Sequence, residues 1–518
     1  MADLEESKEK PVERKGRLTV TLVLVTLVAS IGSSFQYGYN VASINSPSPF
    51  MKTFYNETYL SRYHTTLTTS LQNVLWSLTV SLYPLGGFFG SLMVGPLVNK
   101  IGRKGTLLLN NIFSIVPAIL MGTSVLAKSF EVIIASRLVI GICAGLSSNV
   151  VPMYLGEMSP KNLRGGIGVM PQLLITIGIL MAQIFGIRFI LGNKNGWPIL
   201  LALTGIPAVL ELIFLPFFPE SPRYTLLHKG NDEKARAALK HLRGWEDVDD
   251  EIQEMYQEDQ SEKAEGRLSV KNLCSFRPLR WQLISVIILN MGQQLSGINA
   301  VYYYADSIYG AAGVADDTVQ YVTVATGSVN VLMTLAAVFI VDSWGRRLLL
   351  LIGFGTCCTA CIVLTIALIY QTTVNWMPYL SIVCVIVYVI GHAIGPSSIA
   401  YVITTEMFRQ ASRPAAFMIA GSVHWLSNFT VGLIFEFLLS GLGSYCFILF
   451  ATICLATFLF IYFVVPETKG KTFIEISQIM AKRNGLEEKT DSKEFEDLTS
   501  PTSKGMPIEE DGVIKSAL

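Results

Sequence analysis

Charged residues are scarce in this chain. Of its 518 residues only 15% are Asp, Glu, Lys or Arg, whereas 51% are hydrophobic. Because about a quarter of the residues of a soluble domain are charged, the composition excludes an ordinary soluble protein. The formal net charge is zero, so the chain also lacks the basic excess that binding to nucleic acid requires.

The features of disulfide-rich, metal-binding and enzymatic proteins are missing as well. Seven of the eight cysteines fall in apolar segments, and Cys357, Cys358 and Cys361 share one of them. There they are interpreted as small packing residues rather than as a metal or redox site. No nucleophile with an adjacent base, metal-ligand spacing or nucleotide loop stands out. We therefore expect no disulfide framework, no metal, no cofactor and no enzymatic activity.

What the chain has instead is long apolar segments. A membrane-spanning helix needs about 20 apolar residues, and twelve segments approach or exceed this length. They lie at 18–38, 74–98, 106–127, 130–154, 166–188, 197–218, 281–305, 318–342, 347–370, 378–403, 414–438 and 443–465. The sequence predicts an all-α membrane protein with twelve transmembrane helices in two six-helix bundles.

The segments divide the chain into five parts. These are an N-terminal tail (1–17), a first bundle (18–218), a charged, helix-prone linker domain (219–280), a second bundle (281–465) and a tail (466–518), expected to be disordered after about 485. With the N-terminus inside, nearly all Lys and Arg residues face the cytosol, as the positive-inside rule requires. We therefore expect a multi-pass protein with a cytosolic linker and both termini cytosolic. The first segment is too long for a cleaved signal.

Residues 39–73 are predicted to form a polar loop on the outer side. This loop contains the sequon Asn56-Glu57-Thr58, which predicts glycosylation of Asn56. A second sequon at Asn428 lies within a predicted span and is expected to be silent.

One set of charged residues occurs twice. Counted along the chain, the intervals are 54, 7 and 56 residues in the first set and 60, 7 and 54 in the second. The members are Arg103, Glu157, Arg164 and Glu220, and then Arg346, Glu406, Arg413 and Glu467. The chain is therefore a duplication, and two parallel bundles with a site between them are typical of secondary transporters.

Several motifs resemble one family of such transporters. They are Pro-Glu-Ser-Pro-Arg at 219–223, Pro-Glu-Thr-Lys-Gly at 466–470 and Gln-Gln-Leu-Ser-Gly-Ile-Asn at 293–299. With the repeated charges, they resemble the sugar porter family of the major facilitator superfamily, in particular the animal facilitative hexose carriers, over residues 18–480. The segments 34–40, 391–393 and 422–425 look most like the fructose-transporting branch. The resemblance implies a major facilitator fold, a sugar as the small-molecule partner and a plasma-membrane location, with no obligate protein partner evident.

Neutral polar residues near the middle of several spans predict where a sugar binds. Side-chain amides provide donors and acceptors without the cost of a buried charge. Each such residue could instead hydrogen-bond neighbouring helices, but their similar depth favours a shared site. By resemblance, Tyr37 and Ser397 join them. The predicted set is Tyr37, Gln172, Gln293, Gln294, Asn299, Asn330, His392, Ser397, His424 and Trp425.

His392 and His424 stand where the family's glucose carriers usually have Phe and Asn, which indicates fructose. The tenth span departs from both branches, because Ser398 and Ala400 replace two prolines. Tyr401 is aromatic where the fructose branch has a small residue. These departures leave open a broad glucose and fructose carrier.

The repeated charges lie at cytosolic helix ends. Solvated surface charges are the alternative interpretation, but the repeated spacing argues against it. We expect the eight residues to tie the two bundles together on the inner side when the site opens outward, and to separate when it opens inward.

Asn40 bears on whether transport is coupled to protons. Proton-linked members of the family carry Asp at the position of Asn40, and an amide exchanges no proton near neutral pH, which favours a uniporter. Glu211 and Glu436 lie within spans and keep a proton-coupled symporter open. Arg137 is expected to snorkel to the outer rim.

Two other functions are less favoured by the sequence. A channel would need charged rings or a carbonyl filter. A sugar-sensing receptor typically has a long signalling tail, and the C-terminal tail here is short.

Overall fold

The computed structural model describes residues 15–160, 163–265, 269–408, 412–469, 471 and 473–483. Residues 1–14 and the tail after 483 lie outside this range, as does the segment that the sequence predicts to be disordered.

The first half folds into six long helical segments, several of them interrupted. A π-helical turn, Ser30–Ser34, joins the first two helices, and a 3₁₀ turn, Leu215–Phe217, ends the sixth segment. The helices are α1 (Val20–Ala29), α2 (Phe35–Ala42), α3 (Ser48–Tyr63), α4 (Thr69–Asn110), α5 (Ile112–Gly122), α6 (Glu131–Met158), α7 (Arg164–Phe185), α8 (Trp197–Ala202) and α9 (Gly205–Phe214).

Between the halves, 219–280 contains four helices that are too polar to cross a membrane. They are α10 (Pro222–Leu227), α11 (Asp232–Arg243), α12 (Asp249–Glu265) and α13 (Val270–Ser275). Leu226, Ala235, Leu239, Val248 and Ile252 form a small core of their own.

The second half repeats the plan of the first. Its helices are α14 (Arg280–Leu295), α15 (Ile298–Ala311), α16 (Val319–Trp344), α17 (Arg346–Ile369), α18 (Met377–Ile394), α19 (Pro396–Met407), α20 (Arg413–Leu442), α21 (Cys446–Phe463) and α22 (Phe473–Arg483).

Within the described residues, eight helical stretches are long and apolar enough to cross a membrane. Two of them, Thr69–Gly122 and Ala415–Phe463, are long enough to contain two spans each. Helix α7 and the α14–α15 pair provide two more apolar segments. The segments agree with the twelve predicted spans.

The same glycine turn occurs once in each half. Gly102 interrupts α4 between the second and third spans, with φ 82° and ψ 175°. Gly345 separates α16 from α17 with φ 83° and ψ 175°. Only glycine adopts such positive φ values without strain, so the duplication seen in the sequence is also a duplication of backbone geometry.

Helix α3 corrects the expectation of a polar loop over 39–73. Pro49 lies in its first turn, where the missing N–H of proline costs nothing. Met51 and Tyr55 are fully buried, and the Tyr55 hydroxyl lies 2.8 Å from the Thr79 hydroxyl. The segment is therefore a helix that packs on the first half. We call the end of the bundles that carries α3 the α3 side, and the opposite end the linker side.

Candidate functional site

A cavity of about 90 Å³ lies between the two halves. Helices α2 and α7 contribute to it from the first half, and α14, α15, α16, α18, α19 and α20 from the second. Its lining residues are Tyr37, Val41, Gln172, Ile175, Thr176, Ile179, Gln293, Gln294, Ile298, Asn299, Tyr302, Asn330, Thr334, His392, Ser397 and His424.

Nine of the ten predicted binding residues lie on this wall. The exception is Trp425, which is 2% exposed. Its ring packs edge-on against Tyr37, with centroids 5.5 Å apart, and lies so close to Gly87 that a Cβ there would meet it at 2.5 Å. Trp425 therefore supports the wall from behind. Whether the nine lining residues bind a sugar stays a prediction.

The amides on the wall are partly engaged with each other. Asn299 donates to the side-chain oxygen of Gln294, and Asn330 donates to the Tyr302 hydroxyl at 3.0 Å. For the Gln172 and Gln293 side chains, no hydrogen bond is found among the described residues. These two amides, one from each half, therefore have donors and acceptors that no described residue uses.

Sequence reasoning missed seven wall residues. Four of them, Ile175, Thr176, Ile179 and the hydroxyl-bearing Thr334, have ordinary span composition. The spacing of Gln172, Ile175, Thr176 and Ile179 at i, i+3, i+4 and i+7 places all four on one face of α7. Helical periodicity counted from Gln172 would therefore have located Ile175, Thr176 and Ile179.

The described polar contacts between the halves lie on the α3 side. The Asn45 amide exchanges two hydrogen bonds with Asp306, at 3.1 and 2.9 Å. The Arg188 backbone N–H donates to the Gln320 side-chain oxygen at 2.7 Å. The remaining contacts are ion pairs at 3.0 and 2.8 Å and a hydrogen bond at 3.5 Å, made by Lys52–Glu436, Arg188–Asp316 and Asn73–Ser440. Gln172, an exposed wall residue, lies toward the linker side. The cavity is therefore closed on the α3 side and reached from the linker side.

The repeated charges form one cluster in each half. Arg103 pairs with Glu157 at 3.0 Å, and Glu157 also accepts from the Ser221 hydroxyl. Glu220 accepts the backbone N–H of Lys104 at 3.0 and 3.1 Å, just after the Gly102 turn. The carboxylate thus caps the start of a helical segment, where negative charge is favourable.

The second half repeats this cluster. Arg346 pairs with Glu406 at 2.9 Å, Thr468 donates to Glu406, and Glu467 accepts the N–H groups of Arg346 and Arg347 at 2.9 and 3.1 Å.

These described pairs join residues within one half. The cavity is reached from the linker side, which is the state in which the expected ties between the bundles are separated. The side chains of Arg164 and Arg413 lie outside the described residues. A lock between the bundles that uses them stays a prediction.

The expectation that Arg137 snorkels to the rim is wrong. Arg137 is fully buried and donates to the carbonyl oxygens of Asn40 at 2.9 Å and Thr79 at 3.2 Å. Its guanidinium also lies 4.6 Å from the centre of the Tyr83 ring. Backbone carbonyls and an aromatic face thus stabilise this charge in the first half.

The two carboxylates that left proton coupling open lie away from the cavity wall. Glu211 is 1% exposed and accepts from Ser33 at 2.8 Å and from Asn111 at 3.3 Å, all within the first half. Glu436 is engaged by Lys52. The described wall of the cavity carries neutral side chains only.

Two helical bundles that meet around a polar, uncharged cavity, closed at one end and open at the other, define the class of alternating-access membrane transporters.

Comparison with known proteins specifies the family. Residues 25–480 match the family "Sugar (and other) transporter". The chain is 63% identical over 496 residues to solute carrier family 2, facilitated glucose transporter member 5, of Ovis aries, covering 95% of this chain and 99% of the relative. It is 54% identical over 504 residues to member 7 of Homo sapiens, covering 97% and 98%. The chain therefore belongs to the sugar transporter family.

A solved structure shows the same fold. The xylose transporter XylE from E. coli, in a partially occluded inward-open conformation, superposes with a TM-score of 0.72 at 24% identity, covering 88% of this chain and all of that one. The protein has the twelve-span major facilitator fold, and its relatives are transporters rather than enzymes.

Proposed function

We propose that this chain is a facilitative hexose carrier whose main substrate is fructose, and that it moves the sugar down its gradient by alternating access. The single observation that carries the proposal is the cavity between the halves, whose described wall combines five amide side chains with hydroxyl and imidazole groups and has no carboxylate. Such a wall matches a neutral polyol, because amides satisfy hydroxyls from both sides without a buried charge.

The affinity expected from this wall suits a carrier. Several hydrogen bonds to sugar hydroxyls, each contributing about 1 kcal/mol net, sum to about 4 kcal/mol, which corresponds to a dissociation constant near 1 mM. Sugar at that affinity leaves the site readily.

Uniport is supported by the surroundings of Arg137. Its described partners are backbone carbonyls, and the Asn40 side chain donates to Thr204 at 2.8 Å. Among the described neighbours of Arg137, therefore, no group gains or loses a proton near neutral pH. Glu211 is engaged inside the first half and stands away from the wall.

Fructose is supported by the identity of two wall residues, because His392 and His424 stand where the family's glucose carriers usually have Phe and Asn. Ser398, in place of a proline, donates to the Ala393 carbonyl at 2.8 Å. The side chain of Tyr401 lies outside the described residues. A broad glucose and fructose carrier is the second candidate, because the amides of the wall suit either sugar.

We place the α3 side outside the cell, and both termini and the linker helices in the cytosol, in the plasma membrane. The concentration of Lys and Arg on the linker side supports this orientation. Asn56, half-buried on α3, is then available to the glycosylation machinery of the secretory pathway.

The test is competitive uptake of labelled fructose and glucose into proteoliposomes. Wild type is expected to take up fructose with saturation and counterflow, and to prefer it to glucose. Equal uptake of both sugars would favour the broad carrier. Flux without saturation would indicate a channel, and binding without flux would indicate a receptor.

A further inference from the structure

Two helix interruptions flank the cavity. The first separates α14 from α15 at Gly297, whose φ is +100° and whose Cβ, if present, would lie 3.0 Å from the Phe450 ring. The second separates α18 from α19 at Gly395, followed by Pro396, which has no N–H to continue a helix. Residues on both sides of each interruption line the cavity.

The ring of His392 contacts both interruptions. Its Nε2 lies 2.9 Å from the Gln293 carbonyl oxygen and 3.1 Å from the Ser296 hydroxyl, at the end of α14. Its Nδ1 lies 2.5 Å from the Ser397 hydroxyl, in the first turn of α19. His392 is 1% exposed.

The chemistry of the partners fixes the direction of these bonds. A carbonyl oxygen only accepts, so Nε2 carries the hydrogen and donates to Gln293. In the neutral ring Nδ1 is then an acceptor, and the Ser397 hydroxyl donates to it. Both ring nitrogens are therefore used inside the protein, and His392 has no polar atom left for a sugar hydroxyl.

Tyr388 lies one turn before His392 on α18, and its hydroxyl bonds, among the described residues, to the first interruption alone. Its hydroxyl donates to the Ser296 carbonyl at 2.6 Å, and the Ser296 hydroxyl donates to the Gln293 carbonyl at 2.8 Å. Carbonyls freed where a helix stops need such partners. Tyr388 and His392 together provide these hydrogen-bond donors at the end of α14. Of the two, His392 also bonds to α19, through Ser397.

We propose that His392 is a positioning residue that couples the two helix interruptions, so that α15 and α19 change their angles together as the cavity opens and closes. This inference rests on the proposed carrier function, and it gives His392 and Ser397 a role other than the sugar contact that the sequence predicts. Ser397 is its partner on α19, and Tyr388 stabilises the first interruption alone.

The first measurement needs no substrate. Hydrogen exchange of the purified full-length protein is compared for wild type, Ser397→Ala and Tyr388→Phe. If the interruptions are coupled, Ser397→Ala accelerates exchange of amides at 297–301 as well as in α19. Tyr388→Phe, the matched control, accelerates exchange at 297–301 only. Faster exchange confined to α19 in Ser397→Ala would overturn the coupling.

The second measurement separates positioning from binding. In Ser397→Ala we expect the maximal rate of fructose exchange in proteoliposomes to fall about five- to tenfold, the effect of one lost hydrogen bond of ordinary strength. The Ser397 hydroxyl lies on the wall but donates to His392. The dissociation constant for fructose is therefore expected to stay within about twofold of wild type, because the wall amides are unchanged.

A double-mutant cycle with His392→Phe completes the test. If the bond between the two side chains carries the coupling, the double variant is no slower than His392→Phe alone. Additive losses, or an affinity that falls in step with the rate, would make His392 a sugar ligand and overturn the inference. Wild type that takes up neither fructose nor glucose would refute the proposed carrier, whereas the exchange pattern would still decide the coupling.

Discussion

The Lys52–Glu436 ion pair should hold the α3 side of the carrier, the side that we propose faces outward, closed. It joins α3 of the first half to α20 of the second at 3.0 Å, and the two side chains are only 22% and 11% exposed. The Lys52 ammonium also lies 5.4 Å from the centre of the Trp76 ring. The pair exists while the α3 side is closed, and it must separate for sugar to enter from that side.

The partial burial of this ion pair sets the free-energy cost of removing one of its partners. Exposed pairs contribute about 0.2–1 kcal/mol, and breaking a fully buried pair costs about 3–5 kcal/mol. We place the loss of one partner here at about 1–2 kcal/mol, which changes the ratio of two states by a factor of roughly 5 to 30. Only the closed state loses the interaction, so Glu436→Gln shifts the population toward the outward-open state.

External half-saturation for fructose is the assay. When the binding-competent state is a minor one, apparent affinity is reduced by its fractional population. Glu436→Gln is therefore expected to lower the external half-saturation concentration by up to the same factor of about 5 to 30. The charge-swapped variant Lys52→Glu with Glu436→Lys should restore the wild-type value.

Lys194→Gln is the matched control, because Lys194 is an exposed lysine on the same side for which no ion pair is found among the described residues. Its half-saturation should equal that of wild type. If Glu436→Gln behaved like Lys194→Gln, the reasoning about the outer closure would be refuted.

Further predictions concern the linker side, the wall, the sequon and pH. Arg346→Ala or Glu406→Ala leaves a charge without its partner and should slow uptake about tenfold, measured at equal surface expression; wild-type rates would contradict this role. Gln172→Glu places a charge on a neutral wall and should reduce fructose uptake more than tenfold, whereas Gln172→Asn should retain most of it. Asn56→Gln should increase electrophoretic mobility as much as glycosidase treatment of wild type does.

Uptake should vary little between roughly pH 5 and 8. The hydrogen bond from Arg188 lowers the pKa of the Asp316 carboxyl on the α3 side. This pair therefore contributes fully above the ordinary Asp pKa and is lost only at more acidic pH. Uptake that accelerates sharply on mild acidification would indicate a proton-coupled symporter.

The twelve spans could be predicted because membrane thickness fixes the length of an apolar helix. The wall could be predicted in large part because a buried amide in a span needs a partner, so Gln293, Gln294 and Asn330 stand out by residue type. Apolar wall residues such as Ile175 carry no such signal, and only helical periodicity from a known neighbour would locate them.

Other features depend on contacts that no local pattern encodes. Arg137 is accommodated by carbonyls from α2 and α4, which are distant in sequence. Trp425 lies behind Tyr37 because Gly87 leaves space there. Helix α3 has low hydrophobicity and forms because its buried side packs on the first half. Sequence spacing gives a set of charges but not their pairing, so the ion pairs within each half could not be read from it.

The matching glycine turns and their capping carboxylates have a consequence for motion. Each half contains one such pair, Gly102 with Glu220 and Gly345 with Glu467, which holds neighbouring spans together. A Cβ at Gly102 would lie 2.5 Å from the Glu220 carboxylate, and a Cβ at Gly345 would lie 2.7 Å from the Glu467 carboxylate. A rocking movement of one half against the other leaves these glycine–carboxylate contacts intact. Apart from the interrupted helices α15 and α19, each half can then rotate as a rigid body. The free-energy cost of reorientation falls on the few contacts between the halves on the α3 side and on those interrupted helices beside the cavity.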